Sequence, residues 1–239
     1  MVGPTGVGVP AFWEALKQAT SAIREISVFD ASPYASRIAG QAAPFHPSEW
    51  LAGSDLKYRR CARHTQMALI ALEEALLDAG LPQGRGRFAP VHVVMGSGVG
   101  AFDVVHDSSV ALQRSERRPS PTLVTSAAPQ ATAAAIAGLL GDVRFVTTVS
   151  TACASGLDAI GLGAGLIRRG EAEVVIAGGA DSPLSPVPFA NLVEAGLASR
   201  RNEEPTRASR PFDLQRDSGV ISEGACVVVL ESHGHALSC

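Results

Sequence analysis

Hydrophobic residues recur at helical spacing in several parts of the chain. Leu69, Leu72 and Leu76 are spaced so that they share one face of a helix, which we predict over residues 65–79. Gly80, directly after this segment, is typical of a helix end. The same reasoning predicts further helices over residues 10–19, 102–113, 130–140 and 154–169.

Short apolar runs separate these helices and predict buried strands. They cover residues 91–95, 144–149, 174–177 and 226–231. Strands that alternate with helices in this order predict parallel pairing and right-handed crossovers. The pattern therefore indicates an α/β fold, with residues 114–121 as a polar loop.

Cys153 stands between the strand predicted at residues 144–149 and the helix predicted at residues 154–169. The first N–H groups of a helix have no intrahelical acceptor, and the positive end of the helix dipole lies there. This position favours a thiolate, so Cys153 is a candidate nucleophile. The alternative is a small buried core residue, which is the common environment of a free cysteine.

Four glycines interrupt the predicted helix after Cys153: Gly156, Gly161, Gly163 and Gly165. Each glycine costs about 1 kcal/mol of helix propensity relative to alanine. A helix that keeps them is expected to allow close approach of another backbone. We therefore predict that this helix is buried.

Composition restricts the classes of function. The chain has 239 residues, of which 46% are hydrophobic and 18% charged, and its net charge is −3. These values predict a globular domain whose main partner is neither nucleic acid nor a membrane. The four cysteines are scattered, so we expect no disulfide framework, no zinc site and a cytoplasmic protein. No apolar run is long enough to span a bilayer, and a signal-peptide pattern is absent from the start.

Seven segments carry a resemblance to a known family. In chain order they are FWEAL (residues 12–16), FDASPYASRIAG (29–40), the segment 64–80, VTTVSTACASGLD (146–158), EVVIAGGAD (173–181), RASRPFDLQRDSGVISE (207–223) and CVVVLE (226–231). Through nearly the whole chain, this order resembles the β-ketoacyl-[acyl-carrier-protein] synthases, thiolase-like condensing enzymes of fatty acid and type II polyketide synthesis. The resemblance implies an α/β, thiolase-like fold with a mixed, mainly parallel sheet and helices on both faces.

The chain lacks several motifs of that family. Two histidines that act with the thiol, one in a His-Gly-Thr-like motif and one near a Gly-His pair, are absent, and so is a Gly-Phe-Gly-Gly loop. We also expect the family's first strand to be missing before Met1. We therefore interpret residues 1–239 as the amino-terminal half of a ketosynthase, without its first strand and its carboxy-terminal half.

The resemblance implies a reaction for Cys153. Its thiolate would take an acyl group from acyl carrier protein, and a carrier-bound malonyl unit would then lose carbon dioxide and attack the acyl-Cys thioester. No cofactor is expected, because the phosphopantetheine of the carrier holds the substrates. The runs ACASGLDAI (152–160) and ADSPLSP (180–186) resemble the catalytic subunits of aromatic polyketide systems more than they resemble housekeeping enzymes. Without the histidines, we expect no condensation by this chain alone. The alternative is a non-catalytic, degenerate ketosynthase subunit that acts as a scaffold.

Two basic clusters are candidates for carrier docking. They consist of Lys57, Arg59, Arg60 and Arg63, and of Arg200, Arg201 and Arg207. Charge clusters commonly lie in solvated helix ends and loops, but similar synthases use such residues to hold the acidic helix of the carrier. The resemblance therefore assigns Arg63 and Arg201 to docking, where they would act through steering.

The resemblance also predicts an interface and a loop network. It implies a homodimer, or a heterodimer with a second ketosynthase chain, through residues near 143–150. We further predict that an ion-pair network holds the loop of residues 209–223 over the site. Its members would be Arg210, Asp213, Arg216 and Asp217.

Residues 96–101 also fit the dinucleotide pattern Gly-x-Gly-x-x-Ala after a strand, with Glu116 at a suitable distance. However, Glu116 lies in a loop-like segment, whereas a true fingerprint places this acid after a second strand. The resemblance instead makes Gly96 to Gly100 a turn near the acyl pocket.

His233 and His235 suggest a metal site or a cysteine–histidine dyad. They are the only histidines downstream of Cys153, so spacing leaves open a cysteine hydrolase or transferase of another class. Their polar, terminal segment instead favours a frayed tail.

Overall fold

A six-stranded sheet forms the centre of the computed structural model, which describes residues 1–51, 57–81, 91–115 and 118–237. Its strands are β1 (Val2–Gly3), β2 (Gly6–Val7), β5 (Val91–Gly96), β6 (Val143–Val149), β7 (Val174–Asp181) and β8 (Gly224–Glu231), and the spatial order is β2-β1-β8-β7-β5-β6. A separate pair consists of β3 (Arg24–Glu25) and β4 (Ile38–Ala39). The predicted α/β class with a mixed sheet is confirmed.

The strands pair in both senses. β5 is parallel to β6 and to β7, as the alternation of strands and helices predicts. β8 is antiparallel to β7 along its whole length, and β1 is antiparallel to β8. All residues of β5 are buried, because neighbouring strands flank it and helices cover both of its faces. The parallel strands therefore end together at one edge of the sheet, where Gly96 and Val149 are paired.

Helices cover both faces of the sheet. They are α1 (Val9–Lys17), α2 (Pro47–Trp50), α3 (Arg63–Asp78), α4 (Phe102–Gln113), α5 (Leu123–Ala127), α6 (Ala131–Leu140), α7 (Ser155–Arg168), α8 (Pro186–Glu194) and α9 (His233–Ala236). α3 and α6 pack on one face of the sheet and form the main core. α7 packs on the other face, over β5, β7 and β8. Among the described residues, no helix has both the length and the apolar character that a membrane span requires.

The helix predicted at residues 65–79 is α3, and its end follows the predicted form. Gly80 has φ +65°, a left-handed conformation that suits glycine. The Leu81 N–H donates to the Leu76 carbonyl at 2.9 Å and the Gly80 N–H to the Leu77 carbonyl at 3.1 Å. These bonds satisfy the last carbonyls of α3 and turn the chain away from it.

The glycines of α7 allow close approach to the sheet at two positions. A Cβ on Gly179 of β7 would lie 2.9 Å from Gly156 Cα, and one on Gly163 would lie 3.0 Å from a Val175 methyl group. Gly161 has no such neighbour within 4 Å. The predicted close contact is therefore confined to the side of α7 that faces the sheet.

The prediction of a buried helix holds for one side of α7 only. Leu157 is 74% exposed and Leu162 is 38% exposed, because α7 packs on the sheet with one face only and no described residue covers the opposite one. This outward face of α7 is consequently an exposed apolar surface directly after Cys153.

Candidate active site

The Cys153 turn joins β6 to α7 at the edge where the parallel strands end. Residues Ala152–Ala154 form a single 3-10 turn, and α7 follows at once from Ser155. Ala152 has φ +54°, which is unfavourable for a residue with a Cβ and persists only where the surrounding structure imposes it. Cys153 is exposed. The alternative of a buried core cysteine is therefore wrong.

Two hydrogen-bonded arrangements hold this turn. On the buried side, the Thr151 N–H donates to Ser155 Oγ at 2.9 Å, and Ser155 Oγ donates to the Ala152 carbonyl at 2.6 Å. On the exposed side, Thr151 Oγ1 donates to Asp158 Oδ2 at 2.5 Å. Residues on both sides of Cys153 are thus tied together across it.

Gly96 and Gly98 lie directly against this turn. A Cβ on Gly96 would be 2.2 Å from the Ser155 carbonyl oxygen, and a Cβ on Gly98 would be 2.8 Å from the Ala152 carbonyl oxygen. The glycines of this loop therefore allow contact with the protein's own backbone. This contact accounts for the glycine spacing without a dinucleotide, while Glu116 lies outside the described residues.

Asp181, the last residue of β7, organises the same loop. Its carboxylate accepts hydrogen bonds from Ser97 Oγ at 2.8 Å and from the N–H groups of Gly98, Val99 and Gly100 at 2.8, 2.9 and 3.1 Å. Sequence reasoning missed Asp181. The available signal was that β5 and β7 end at the same edge of a parallel sheet, so polar residues after both strands meet there.

An apolar cavity of about 300 Å³ lies beside this loop. Its walls include the loop from Ser97 to Ala101, Phe102 and Val105 of α4, Ala127, Pro129 and Ser150. Ser150 belongs to the segment that leads from β6 to Cys153. The edge of the sheet thus combines an exposed thiol, a helix N-terminus and an apolar space.

The other cysteines have different surroundings. Cys61 is half-buried, and its burial raises the pKa of its thiol. Cys226 is exposed on β8, opposite Gly179. Cys239 lies outside the described residues. Cys61 and Cys153 each lie two residues before the first residue of a long helix, α3 and α7 respectively, and of these two only Cys153 is exposed.

The histidines lie elsewhere. His64 is buried in α3, where burial lowers its pKa, and its only described hydrogen-bond contact is with Thr65 Oγ1 at 3.5 Å. His235 Nδ1 lies 2.7 Å from Glu231 Oε1 within the terminal segment. Within the described ranges, no hydrogen bond joins a histidine to the Cys153 turn, and no group of histidine, cysteine or acidic residues is arranged to hold a metal ion.

Arg63 lies at the start of α3 and is held by a buried carboxylate. Its Nε and Nη2 donate to Glu223 at 2.8 and 2.7 Å, and its guanidinium lies 4.8 Å from the centre of the Phe45 ring. Glu223 also accepts from Ser182 Oγ at 2.6 Å and from the Ala42 N–H at 2.9 Å. The Arg63 side chain keeps 36% of its surface exposed, whereas that of Glu223 is fully buried.

Arg201 is also partly engaged within the chain. Its Nη2 donates to the Gln215 carbonyl at 2.6 Å, and its Nε lies 3.8 Å from Asp217 Oδ1. Asp217 further accepts from Ser199 Oγ at 2.8 Å and from the Arg200 N–H at 2.9 Å. These contacts tie residues 199–201 to the segment around residue 217.

The predicted four-residue network over the site is not formed. Arg210 donates to the Arg207 carbonyl, and Arg216 donates to the Asp213 carbonyl, at 2.8 and 2.9 Å. In this tightly turning loop, backbone carbonyls lie closer to the guanidinium groups than the carboxylates do. Only Asp217 of the four forms an ion pair among the described residues, and its partner is Arg201.

Comparisons with known proteins cover almost the whole chain. The family model described as "Beta-ketoacyl synthase, N-terminal domain" matches residues 1–236. A putative polyketide beta-ketoacyl synthase 1 from Streptomyces cyaneus is 40% identical over 243 aligned positions, which cover 99% of this chain and 57% of that protein. The chain therefore spans less than two thirds of the length of this relative.

Two solved structures are similar over almost the whole chain. The ishigamide ketosynthase/chain length factor has a TM-score of 0.84 at 26% identity, covering 99% of this chain and 58% of that one. The AntDE:AntF structure, described as a type II polyketide synthase acyl-carrier protein in complex with its ketosynthase bound to the hexaketide, has a TM-score of 0.81 at 28% identity, covering 99% and 57%.

Proposed function

Because this chain belongs to the β-ketoacyl synthase family, matching the amino-terminal domain of these enzymes, we propose that Cys153 is the nucleophile of a carrier-dependent condensing enzyme in fatty acid or polyketide synthesis. The observation that carries the proposal is the exposed Cys153 thiol at the N-terminal end of α7. The apolar cavity beside the Gly96–Gly100 loop offers space for an acyl chain. The 40% identical polyketide synthase relative favours a polyketide substrate.

The first step is acyl transfer. The Cys153 thiolate attacks the thioester carbonyl of the acyl carrier, and the N–H of Cys153 donates to the developing oxyanion. Collapse of the tetrahedral intermediate forms the acyl-Cys153 thioester and releases the phosphopantetheine thiol of the carrier, which takes up a proton. This step requires a thiolate, an oxyanion donor and a docked carrier.

The second step needs groups that we assign to another part of the enzyme. A malonyl thioester loses carbon dioxide, and its carbanion attacks the acyl-Cys153 carbonyl, which gives a β-ketoacyl carrier two carbons longer and restores the thiolate. The family resemblance assigns this step to two histidines and a Gly-Phe-Gly-Gly loop of a second half. We propose that this half covers the outward face of α7, where Leu157 and Leu162 are exposed.

Product formation tests this function. The 239-residue chain, incubated with acyl- and malonyl-loaded carrier protein, is expected to give no β-ketoacyl product, because the proton-transfer groups are absent. Addition of a polypeptide that carries the second half is expected to restore the product, and Cys153→Ser is expected to abolish it. Product from the chain alone, or from Cys153→Ser with the second half, would contradict the proposal.

We propose that the carrier docks on the basic surface before and at the start of α3. The side chains of Lys57, Arg59 and Arg60 are exposed there and suit the acidic helix of a carrier. Arg63 belongs to this surface and Arg201 to the second basic cluster, and each offers only the part of its side chain that its internal partners leave exposed, 36% and 31% respectively. The solved ketosynthase in complex with its carrier protein supports a partner of this kind.

Salt dependence tests the docking residues. Arg201→Glu is expected to slow acyl transfer from the carrier more at low than at high ionic strength, because salt screens electrostatic steering. Arg168→Glu, at the far end of α7 from Cys153, is the control of equal charge change. The two variants should differ in salt slope, and Arg201→Glu should also melt at a lower temperature, because it removes the contacts with Gln215 and Asp217 and places two carboxylates together. Equal slopes would show that Arg201 takes no part in docking.

We propose that β6, the outermost strand on one side of the sheet, contacts a second ketosynthase chain. β6 is the last strand of the described sheet, and Phe145 and Val146 are 42% and 40% exposed. An exposed edge strand offers unpaired backbone groups and invites pairing with another chain. The ketosynthase/chain length factor structure supports a two-chain assembly.

Light scattering tests this interface. The wild-type chain is expected to have the mass of a dimer, and Val146→Asp is expected to shift it towards a monomer because the charge would be buried at the interface. Val124→Asp, at an 81% exposed residue of α5, should leave the mass unchanged. A monomeric wild type, or a dimeric Val146→Asp variant, would contradict the proposal.

A further inference from the structure

Asp158 lies in the first turn of α7, five residues after Cys153. Its carboxylate accepts the 2.5 Å hydrogen bond from Thr151 Oγ1, two residues before Cys153. The bond therefore closes a loop of the chain that carries the thiol. The acyl-transfer steps described above assign no role to either residue.

The turn needs such support. Ala152 is held at φ +54°, and left-handed backbone at a non-glycine residue relaxes unless neighbouring contacts prevent it. Buried Ser155 fixes the inner side of the turn through its bonds to Thr151 and Ala152. Ala154, the N-cap residue of α7, has no polar side chain to cap the helix, so Thr151–Asp158 is the side-chain contact that fixes the solvent side.

We propose that Asp158 is a positioning residue that acts through Thr151 to hold the Cys153 turn in the geometry that keeps the thiol at the N-terminus of α7. A carboxylate near a thiol disfavours the thiolate, so activation of the thiol by charge would not explain its presence. The presence of the Asp158 carboxylate is explained by its ability to accept a hydrogen bond across the turn. The effect on acyl transfer rests on the proposed role of Cys153, whereas the geometric effect does not.

Alkylation by iodoacetamide measures this geometry without carrier or substrate. The exposed Cys226 of the same chain is the internal reference, so the ratio of Cys153 to Cys226 modification cancels differences in reagent concentration and reaction time. Helix N-termini favour anions by an amount that corresponds to a rate difference of about 2- to 5-fold. A turn that opens loses this advantage.

The expected pattern separates hydrogen bonding from charge. Asp158→Ala and Thr151→Val should each lower the Cys153/Cys226 ratio by about 2- to 5-fold, and the double variant should lower it no further, since both remove one contact. Asp158→Asn keeps an acceptor oxygen, and Thr151→Ser keeps the hydroxyl. Both should retain the wild-type ratio or exceed it.

Two results would overturn the proposal. One is an unchanged ratio in Asp158→Ala and Thr151→Val, and the other is a loss in Asp158→Asn as large as in Asp158→Ala. If one of Asp158→Ala and Thr151→Val fails to fold, the other still decides the question, because each removes the same hydrogen bond from one side. If the variants show this pattern of alkylation but the wild-type chain accepts no acyl group, the positioning role of Asp158 stands and the nucleophile role of Cys153 is rejected.

Discussion

Gly96→Ala is expected to destabilise the fold strongly and to displace the Cys153 turn. The added Cβ would lie 2.2 Å from the Ser155 carbonyl oxygen and 2.5 Å from the Gly156 N. Both are backbone atoms at the start of α7, and Gly96 ends a strand that is paired on both sides. Overpacking of a close-packed interior lowers the free energy of unfolding by about 1–3 kcal/mol. Because these contacts are so short, we expect the loss in Gly96→Ala to lie at or above the upper end of that range.

Gly161→Ala is the matched control for this prediction. Gly161 belongs to the same region of the fold, but a Cβ there meets no atom within 4 Å. Alanine in a helix should then raise the free energy of unfolding by about 1 kcal/mol. Denaturant unfolding of the two variants measures both effects. Equal stability of the two variants would contradict the packing of β5 against the start of α7.

Arg63→Ala is the second substitution with a large expected effect. It would leave the Glu223 carboxylate buried without its guanidinium partner, and breaking a buried pair from one side costs about 3–5 kcal/mol. Because Arg63 is itself 36% exposed, solvent screening places the expected loss near 3 kcal/mol. Arg169→Ala, which breaks the exposed pair with Glu171, should cost clearly less. Similar losses would contradict the buried pair.

The same pair predicts a pH dependence. Burial raises the pKa of Glu223, but the hydrogen bonds from Arg63 and Ser182 and the charge of Arg63 outweigh it, so its pKa lies below the ordinary value. A carboxyl group with a lowered folded-state pKa stabilises the fold above its unfolded pKa of about 4.3, and this contribution is lost as the pH falls through the folded value. The stability difference between wild type and Arg63→Ala should therefore shrink on acidification below about pH 4. A constant difference would show that Glu223 is not linked to Arg63.

Local patterns along the chain predicted the regular elements well. The spacing of Leu69, Leu72 and Leu76 indicated α3, and Gly80 indicated its end. The predicted helix over residues 102–113 has the bounds of α4. α5 was not predicted, since its five residues, LVTSA, are too few to show a helical repeat.

Contacts between distant residues carried no such signal. Asp181 binds a loop more than 80 residues earlier, and Glu223 binds Arg63 across 160 residues. Neither carboxylate belongs to a periodic pattern, so their roles follow only from the strand pairing: β5 is parallel to β7, and the antiparallel pairing of β7 with β8 places the end of β7 opposite the start of β8. The glycines of α7 predicted more burial of this helix than the structure has. Close approach at Gly156 and Gly163 concerns one face of α7 and does not bury the other.

The central claim, that Cys153 accepts the acyl group, is tested most directly by locating a mass-tagged acyl group after incubation of the chain with acyl carrier protein. Peptide mass spectrometry is expected to find the acyl mass on the peptide that contains Cys153. The adduct should persist in Cys226→Ser, which removes the other exposed described thiol, and disappear in Cys153→Ala. An adduct on another residue, or one that survives Cys153→Ala, would contradict the account.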